Sequence, residues 1–209
     1  MANDNSRRSN EARRRASMDS VLNAARHLFV AQGFGATTMD AIAKQAKLTK
    51  GAVYFYFKNK GELLIKLIEQ SQEQLMMPIF ASMRAADTSA AEQLVMYTNH
   101  LAQTSGEGEL ELLLLPILIS LEFSGREDSI KKLIGNRYNI IYREIERVIV
   151  QGQQEGTICQ TLPAQEQATV IVAMTEGLLL EWFRRGKSLD GRALAQISRR
   201  FMLQGLQAA

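Results

Sequence analysis

Apolar residues recur at i, i+3, i+4 and i+7 along almost the whole chain, and very little of it reads as a strand. Only three prolines interrupt the pattern, at 78, 116 and 163. The spacing predicts an all-α fold of about nine helices. The first runs roughly 16–32, buries Val21, Leu22, Ala25, Leu28 and Phe29, and ends at Gly33. Thr37 or Thr38 caps a short second helix that carries Asp40 in its first turn and turns Ile42, Ala43 and Ala46 inward. Thr49 caps a third helix from Lys50 to about Phe57, and a long fourth begins near Lys60 and reaches about Arg84, with Pro78 the point where it can be disturbed. Further helices are expected near 88–104, 109–123, 127–154, 164–186 and 190–206, with breaks at Gly106–Gly108, Ser124–Gly125, Gly156 to Pro163 and Gly186 to Asp190.

The 209 residues, 46% hydrophobic, suffice for two structural units with real cores. No run approaches the roughly 18 apolar residues of a membrane span. The most apolar stretch, "LELLLLPILISLEF", holds a proline and two glutamates and reads as a buried helix. The N-terminus is basic but has no apolar segment behind it and carries Asp4, Glu11 and Asp19, so neither a secretory signal nor a presequence is expected, and the protein is expected in the cytoplasm. One cysteine, Cys159, excludes an internal disulfide and a cysteine-based zinc site; no metal or cofactor is expected. The two histidines, His27 and His100, form no H-x-x-x-H pair, and there is neither a glycine-rich phosphate loop nor a nucleophile elbow, so no enzyme is expected; His27 reads as structural or as lying near DNA. Charge is uneven. Residues 1–60 hold eleven Lys/Arg against four Asp/Glu, a net of +7, and the remainder is net −4. A basic module on a mildly acidic body fits a phosphate-bearing partner, or a solvated basic tail, since Arg7, Arg8 and Arg13 to Arg15 supply five of the eleven cations.

The stretch "LTKGAVYFYFKNK", residues 48–60, places four of the chain's fourteen aromatics side by side between lysines. "VYFYF" has strand propensity, but Thr49 is a good cap, turn chemistry flanks the run, and the helical wheel sorts it. Val53 and Phe57 fall on one face with the apolar side of the preceding helix, while Lys50 and Tyr54 fall on the opposite face and Tyr56 at the flank. Tyrosine hydroxyls at the edge of a basic surface can donate to phosphate oxygens. Two short helices joined by a tight turn, the second with an exposed basic face, form the helix-turn-helix layout.

The segment "TTMDAIAKQAKLTKGAVYFYFKNKGELL" resembles the DNA-binding segment of the TetR/AcrR family of bacterial regulators, whose pattern is in outline T-x-x-x-I-A-x-x-A-G-V-S-x-G-x-x-Y-x-H-F-x-x-K-x-x-L. Thr38, Ile42, Ala43, Ala46, Gly51, Tyr54, Phe57, Lys60 and Leu63 match, and upstream "AARHLFVAQGFGATT" resembles the family's first helix through Ala25, Leu28, Phe29, Gly33 and Phe34. The resemblance covers about residues 18–66. It implies that Thr38, Tyr54, Tyr56 and Lys60 bind phosphates, with Lys60 also at a helix N-terminus that favours an anion. It implies that Thr49, Lys50 and Ala52 face base edges in the major groove, that Gly51 lets the backbone come close, and that Lys47 and Lys58 add phosphate contacts. Three of the departures from the pattern bear on the DNA face. Lys47 stands where glycine is usual, at a position often left-handed, which costs lysine about 1 kcal/mol. Thr49 replaces serine, and Tyr56 replaces histidine.

Three units are expected: a flexible basic arm over 1–15 that can reach the minor groove or add non-specific affinity, a DNA-binding unit over 16–62, and a helical effector-binding and dimerisation unit over 63–209. By resemblance the last two long helices, with "ATVIVAMTEGLLLEWF" and "LAQISRRFMLQGL", build a four-helix interface in a symmetric homodimer, which sets two recognition helices at the half-site spacing of a pseudo-palindromic double-stranded operator. Candidate effector contacts are Met76, Met77, Phe80 and Met83 on the fourth helix, then Met96, Tyr97 and His100, then Phe123, then Arg137, Tyr138 and Tyr142, and finally Met174, Glu176 and Trp182. Methionine and aromatic residues at helical spacing also describe ordinary core. Arg137 or His100 could pair an anionic head, Glu176 a cation. The expected function is a repressor released by a small, largely apolar effector, with the fourth helix carrying the signal; the alternative is a DNA-binding regulator without a small-molecule effector, controlled by a protein partner or by abundance.

Overall fold

The computed structural model describes residues 2–103, 107–125 and 128–207, and among them the regular structure is helical apart from one isolated antiparallel bridge between Ile158 and Gln207. Met1, Gly106 of the expected break at Gly106–Gly108 and the side chains of Arg7 and Arg8 lie outside the described residues.

Helix α1 spans Ala2–Gln32. The stretch read as a flexible arm is therefore the first half of α1. Residues 10–16 are exposed on every side, so burial does not hold them in place. Alanine and arginine are strong helix formers, and nothing in "EARRRAS" breaks a helix already nucleated by the buried Val21, Leu22 and Ala25. Gly33, at φ 84°, ends α1, its N–H on the Phe29 carbonyl at 3.0 Å.

Helices α2 (Met39–Gln45) and α3 (Lys50–Tyr56) are capped by Thr38 and Thr49, whose hydroxyls accept the N–H of Ala41 and Ala52 at 3.1 and 3.2 Å. Ile42, Ala43, Val53 and Phe57 close against Val21, Ala25 and Phe29 of α1. Helix α4 (Lys60–Gln70) is capped by Asn59, whose side chain accepts the Glu62 N–H, while the Glu62 carboxylate reaches back past the cap to accept the Lys58 N–H. The rod continues through a π-helical turn, Ser71–Met76, into α5 (Met77–Ala85). Pro78 explains that turn, because its ring excludes the i−4 carbonyl and removes a donor.

The body comprises α6 (Ala90–Gln103), α7 (Glu107–Glu122), α8 (Ser129–Gln154), α9 (Ala164–Arg185) and α10 (Gly191–Leu206). Helix α7 is apolar nearly all round because it lies between the two units: it packs against α1 and α4 on one side and α8 and α9 on the other. Buried Glu144 on α8 ties the rod to the body, accepting from Arg84 on α5 and from Arg147.

Candidate nucleic-acid interface and effector cavity

The turn between α2 and α3 bends through Lys47, the one described non-glycine residue with positive φ, at 57°. Its side chain is exposed, so the strained backbone carries a cation outward beside the reading helix. On α3, Lys50 is exposed and pairs with Asp40 at 2.8 Å, which pushes its ammonium pKa up; it also stands 5.9 Å over the Tyr54 ring. Both partners are solvated, so Lys50 can exchange Asp40 for a base edge. A Cβ at Gly51 would meet no other atom of the chain, so nothing within the fold demands glycine there, and the open space faces outward. Ala52 is half-buried, Tyr54 is exposed, and Tyr56 packs edge-on to the exposed Phe55 at 5.2 Å. Thr38, Lys50, Tyr54, Lys58 and Lys60 all line one open concavity of about 400 Å³.

Lys60 departs from expectation. Its ammonium donates to the carbonyls of Phe34, Gly35 and Thr37 at 2.7, 3.0 and 2.9 Å and lies 4.5 Å over the Phe34 ring. An ammonium has three N–H donors, and all three are spent on the α1–α2 turn. Lys60 therefore ties that turn to α4 and holds the concavity in shape, instead of presenting a free phosphate donor.

The same turn is gripped from the body. The Glu122 carboxylate, at the end of α7, accepts the N–H of Phe34 at 3.0 Å and of Gly35 at 2.7 Å. Three turns earlier on α7, Glu111 accepts Arg26 Nε at 3.1 Å and meets His27 Nδ1 at 2.8 Å. His27 is thus an interdomain contact. Sequence spacing gives no sign of these pairs, which join residues more than eighty positions apart.

Between these two carboxylates, Leu113 and Ile117 of α7 line a narrow cavity of about 20 Å³ with Met76, Tyr97, Arg137 and Glu176. Arg137 is 5% exposed, and its Nε and Nη1 have no hydrogen-bond partner among the described residues. Burial pushes its pKa down, against the pull of Tyr138, Tyr97 and Glu176. Burial raises Glu176, while Tyr138 hydrogen-bonds to it and Arg137 favours its charged form. Tyr97, fully enclosed, is pushed up to about 12, and Tyr138 is raised for the same reason.

The remaining effector candidates lie elsewhere. Phe80 and Met83 are solid core, Phe80 stacked on Tyr97 at 6.4 Å. Met77 is partly exposed and Met96 packs on the core edge. His100 donates Nε2–H to the Leu75 carbonyl in the π turn at 2.7 Å. Phe123 sits edge-on to Phe34 at 5.4 Å, at the junction of the two units. Tyr138 and Tyr142 stack at 6.1 Å beside Glu176 and outside the cavity wall. Met174 lines a surface groove between α9 and α10, and Trp182 a second cleft between α6, α9 and α10. The cavity wall adds plain aliphatics, Leu101, Ile141, Val172 and Leu179, which carry no signal distinguishing wall from core.

A capped helix-turn-helix with an exposed basic reading face, mounted on a helical body, defines a DNA-binding transcriptional regulator. Residues 21–67 match the family model for bacterial regulatory proteins of the tetR family. The chain superposes on the MbdR regulator of Azoarcus sp. CIB with a TM-score of 0.83 and 37% identity, covering 91% of this chain and 98% of that one. It shares the fold of FadR from Bacillus subtilis in complex with stearoyl-CoA, with a TM-score of 0.72, 21% identity and 91% and 100% coverage of the two chains. It also shares that of AibR in complex with isovaleryl coenzyme A and operator DNA, with a TM-score of 0.74, 19% identity and 91% and 98% coverage. The chain belongs to the TetR family of bacterial transcriptional regulators.

Proposed function

We propose that the protein is a dimeric repressor whose hold on a pseudo-palindromic operator is released by an effector with an apolar body and a hydrogen-bond-accepting or anionic head. The orphaned, buried guanidinium of Arg137 carries this reading: a desolvated cation with two nitrogens, Nε and Nη1, left without a hydrogen-bond partner costs stability unless a partner arrives. Two of the structural neighbours hold acyl thioesters of coenzyme A, which have such a head and body, and this is the class to try first. Thr38, Lys47, Thr49, Lys50, Gly51, Ala52, Tyr54, Tyr56 and Lys58 form the DNA face. The apolar outer face of α9 and α10, with Val170, Ile197 and Phe201 at 66, 51 and 68% exposure, is the dimer surface.

The cavity takes a water and no more. An effector that reaches Arg137 must therefore displace a wall. It shares Leu101, Thr175 and Leu179 with the Trp182 cleft, so opening there merges the two. Helix α7 is the wall that also grips Arg26, His27, Phe34 and Gly35, so its displacement moves the DNA-binding unit alongside any motion of the α4 rod. The small cavity also favours a second reading, a regulator governed by a protein partner or by abundance.

The deciding experiment selects bound sequences from a random DNA pool, then challenges the complex with isovaleryl-CoA and stearoyl-CoA. A pseudo-palindrome released by either thioester in the wild type, but not in Arg137→Met, supports the first reading. A tight operator that a broad panel of acyl thioesters and carboxylates leaves bound supports the second.

A further inference from the structure

Helix α1 begins at Ala2, about five turns before its first buried residue, Val21. Its exposed stretch over residues 10–16 carries Arg13, Arg14 and Arg15. Three consecutive residues sweep about 200° of a helix, so cations face most of its circumference. A solitary helical segment gains little by itself in water, and none of residues 10–16 is buried. One contact fixes its direction: the Arg14 guanidinium lies 5.8 Å over the ring of Phe55. Phe55 belongs to the reading helix and is 71% exposed, the largest exposure among the chain's big apolar side chains in the described residues. Its ring has no donor for a phosphate and takes no part in the core. It is braced edge-on by Tyr56, which belongs to the DNA face. Lys50 over Tyr54, then Phe55 with Arg14, make one continuous cationic and aromatic surface across α3 and α1.

We propose that the exposed N-terminal part of α1 is a second DNA-binding element, in which Phe55 acts as a platform that aims Arg14, with Arg13 and Arg15 beside it, at backbone phosphates outside the base pairs read by α3. This rests on the DNA-binding reading of the helix-turn-helix. The occupant follows from charge complementarity and from continuity with the reading face. The recognition is of phosphate spacing and carries no base preference, because guanidinium groups on phosphates position a protein without reading sequence.

The test titrates operator and random duplex with the full-length protein over a range of salt. Each phosphate contact contributes about 0.9 to the slope of log affinity against log salt. Arg14→Ala is expected to lower that slope by about 0.9 per protomer and to weaken operator and random DNA by the same factor. Phe55→Leu should do the same, and the double variant should be no worse than the more severe single one, since the two act as a unit. Arg13→Ala/Arg15→Ala should lower the slope further. Alanine favours helix, so circular dichroism should show α1 intact in each. Unchanged slopes would make the arginines solvated surface charge. Loss on operator alone after Phe55→Leu would make Phe55 a base contact, and additive losses would separate it from Arg14; either result overturns the platform. Failure of the wild type to select any operator would instead strike at the DNA-binding reading itself.

Discussion

At the scale of single residues, strain and burial sit where the chemistry is. Lys47 holds a left-handed backbone that glycine adopts freely. Lys47→Gly should stabilise the protein by about 1 kcal/mol in thermal unfolding and lower the salt slope of operator binding by about 0.9 per protomer. A gain in stability with an unchanged slope would leave Lys47 as a turn residue only. Glu176 makes the opposite trade. Burial raises its pKa above the ordinary carboxylate value, so the folded state holds that proton more tightly than the unfolded chain. Such a group supports folding most below its unfolded pKa, and that support is lost as pH rises through the folded value. Glu176→Gln should therefore match the wild type near acid pH and melt higher at neutral pH. Melting curves that run parallel across about pH 4–8 would show that Arg137 offsets the burial fully.

At the scale of elements, α7 joins what the flanking helices keep apart. Its end residue Glu122 holds the turn before α2, its first turns carry Glu111 against α1, and its middle faces the cavity. Ile117→Phe should overfill a space of about 20 Å³ and push α7 outward without any effector. We expect operator affinity to fall about tenfold, with the Phe34 and Gly35 amides exchanging faster by a similar factor. A lower melting temperature with unchanged operator affinity would assign transmission to the α4 rod alone. The rod has its own irregularity, the π turn before Pro78, where His100 occupies a backbone carbonyl. The disturbance was legible from the proline, while the partner that stabilises it came from another helix.

At the scale of the whole molecule, Val170 on α9 and Phe201 on α10 leave an apolar surface that a lone chain exposes to water. Val170→Glu/Phe201→Glu should give a folded monomer in sedimentation, with operator affinity reduced at least about 100-fold, because tethering two reading heads supplies an effective concentration that single heads lack. A dimer that survives both charges would place the interface on another face.

The helices, their caps and the reading head follow from local sequence. Those depend on residues close along the chain: apolar spacing, Thr38 and Thr49 three positions before the N–H groups they accept, and a turn short enough for its strain at Lys47 to be foreseen. Helix boundaries in the body were legible for the same reason. The α1 extension was missed because charge suggested a solvated tail while helix propensity, a weaker local term, decided its form. Where the long side chains go depends instead on how the helices pack. Lys60 reads as a phosphate donor by position, yet three carbonyls of a turn more than twenty residues away consume its donors. Of the effector candidates, only Met76, Tyr97, Arg137 and Glu176 face the cavity, because facing a void and facing a neighbouring helix follow from the same periodicity. Which of the two occurs is set by how the helices pack, and the grip of α7 on the DNA-binding unit joins residues that no local pattern relates.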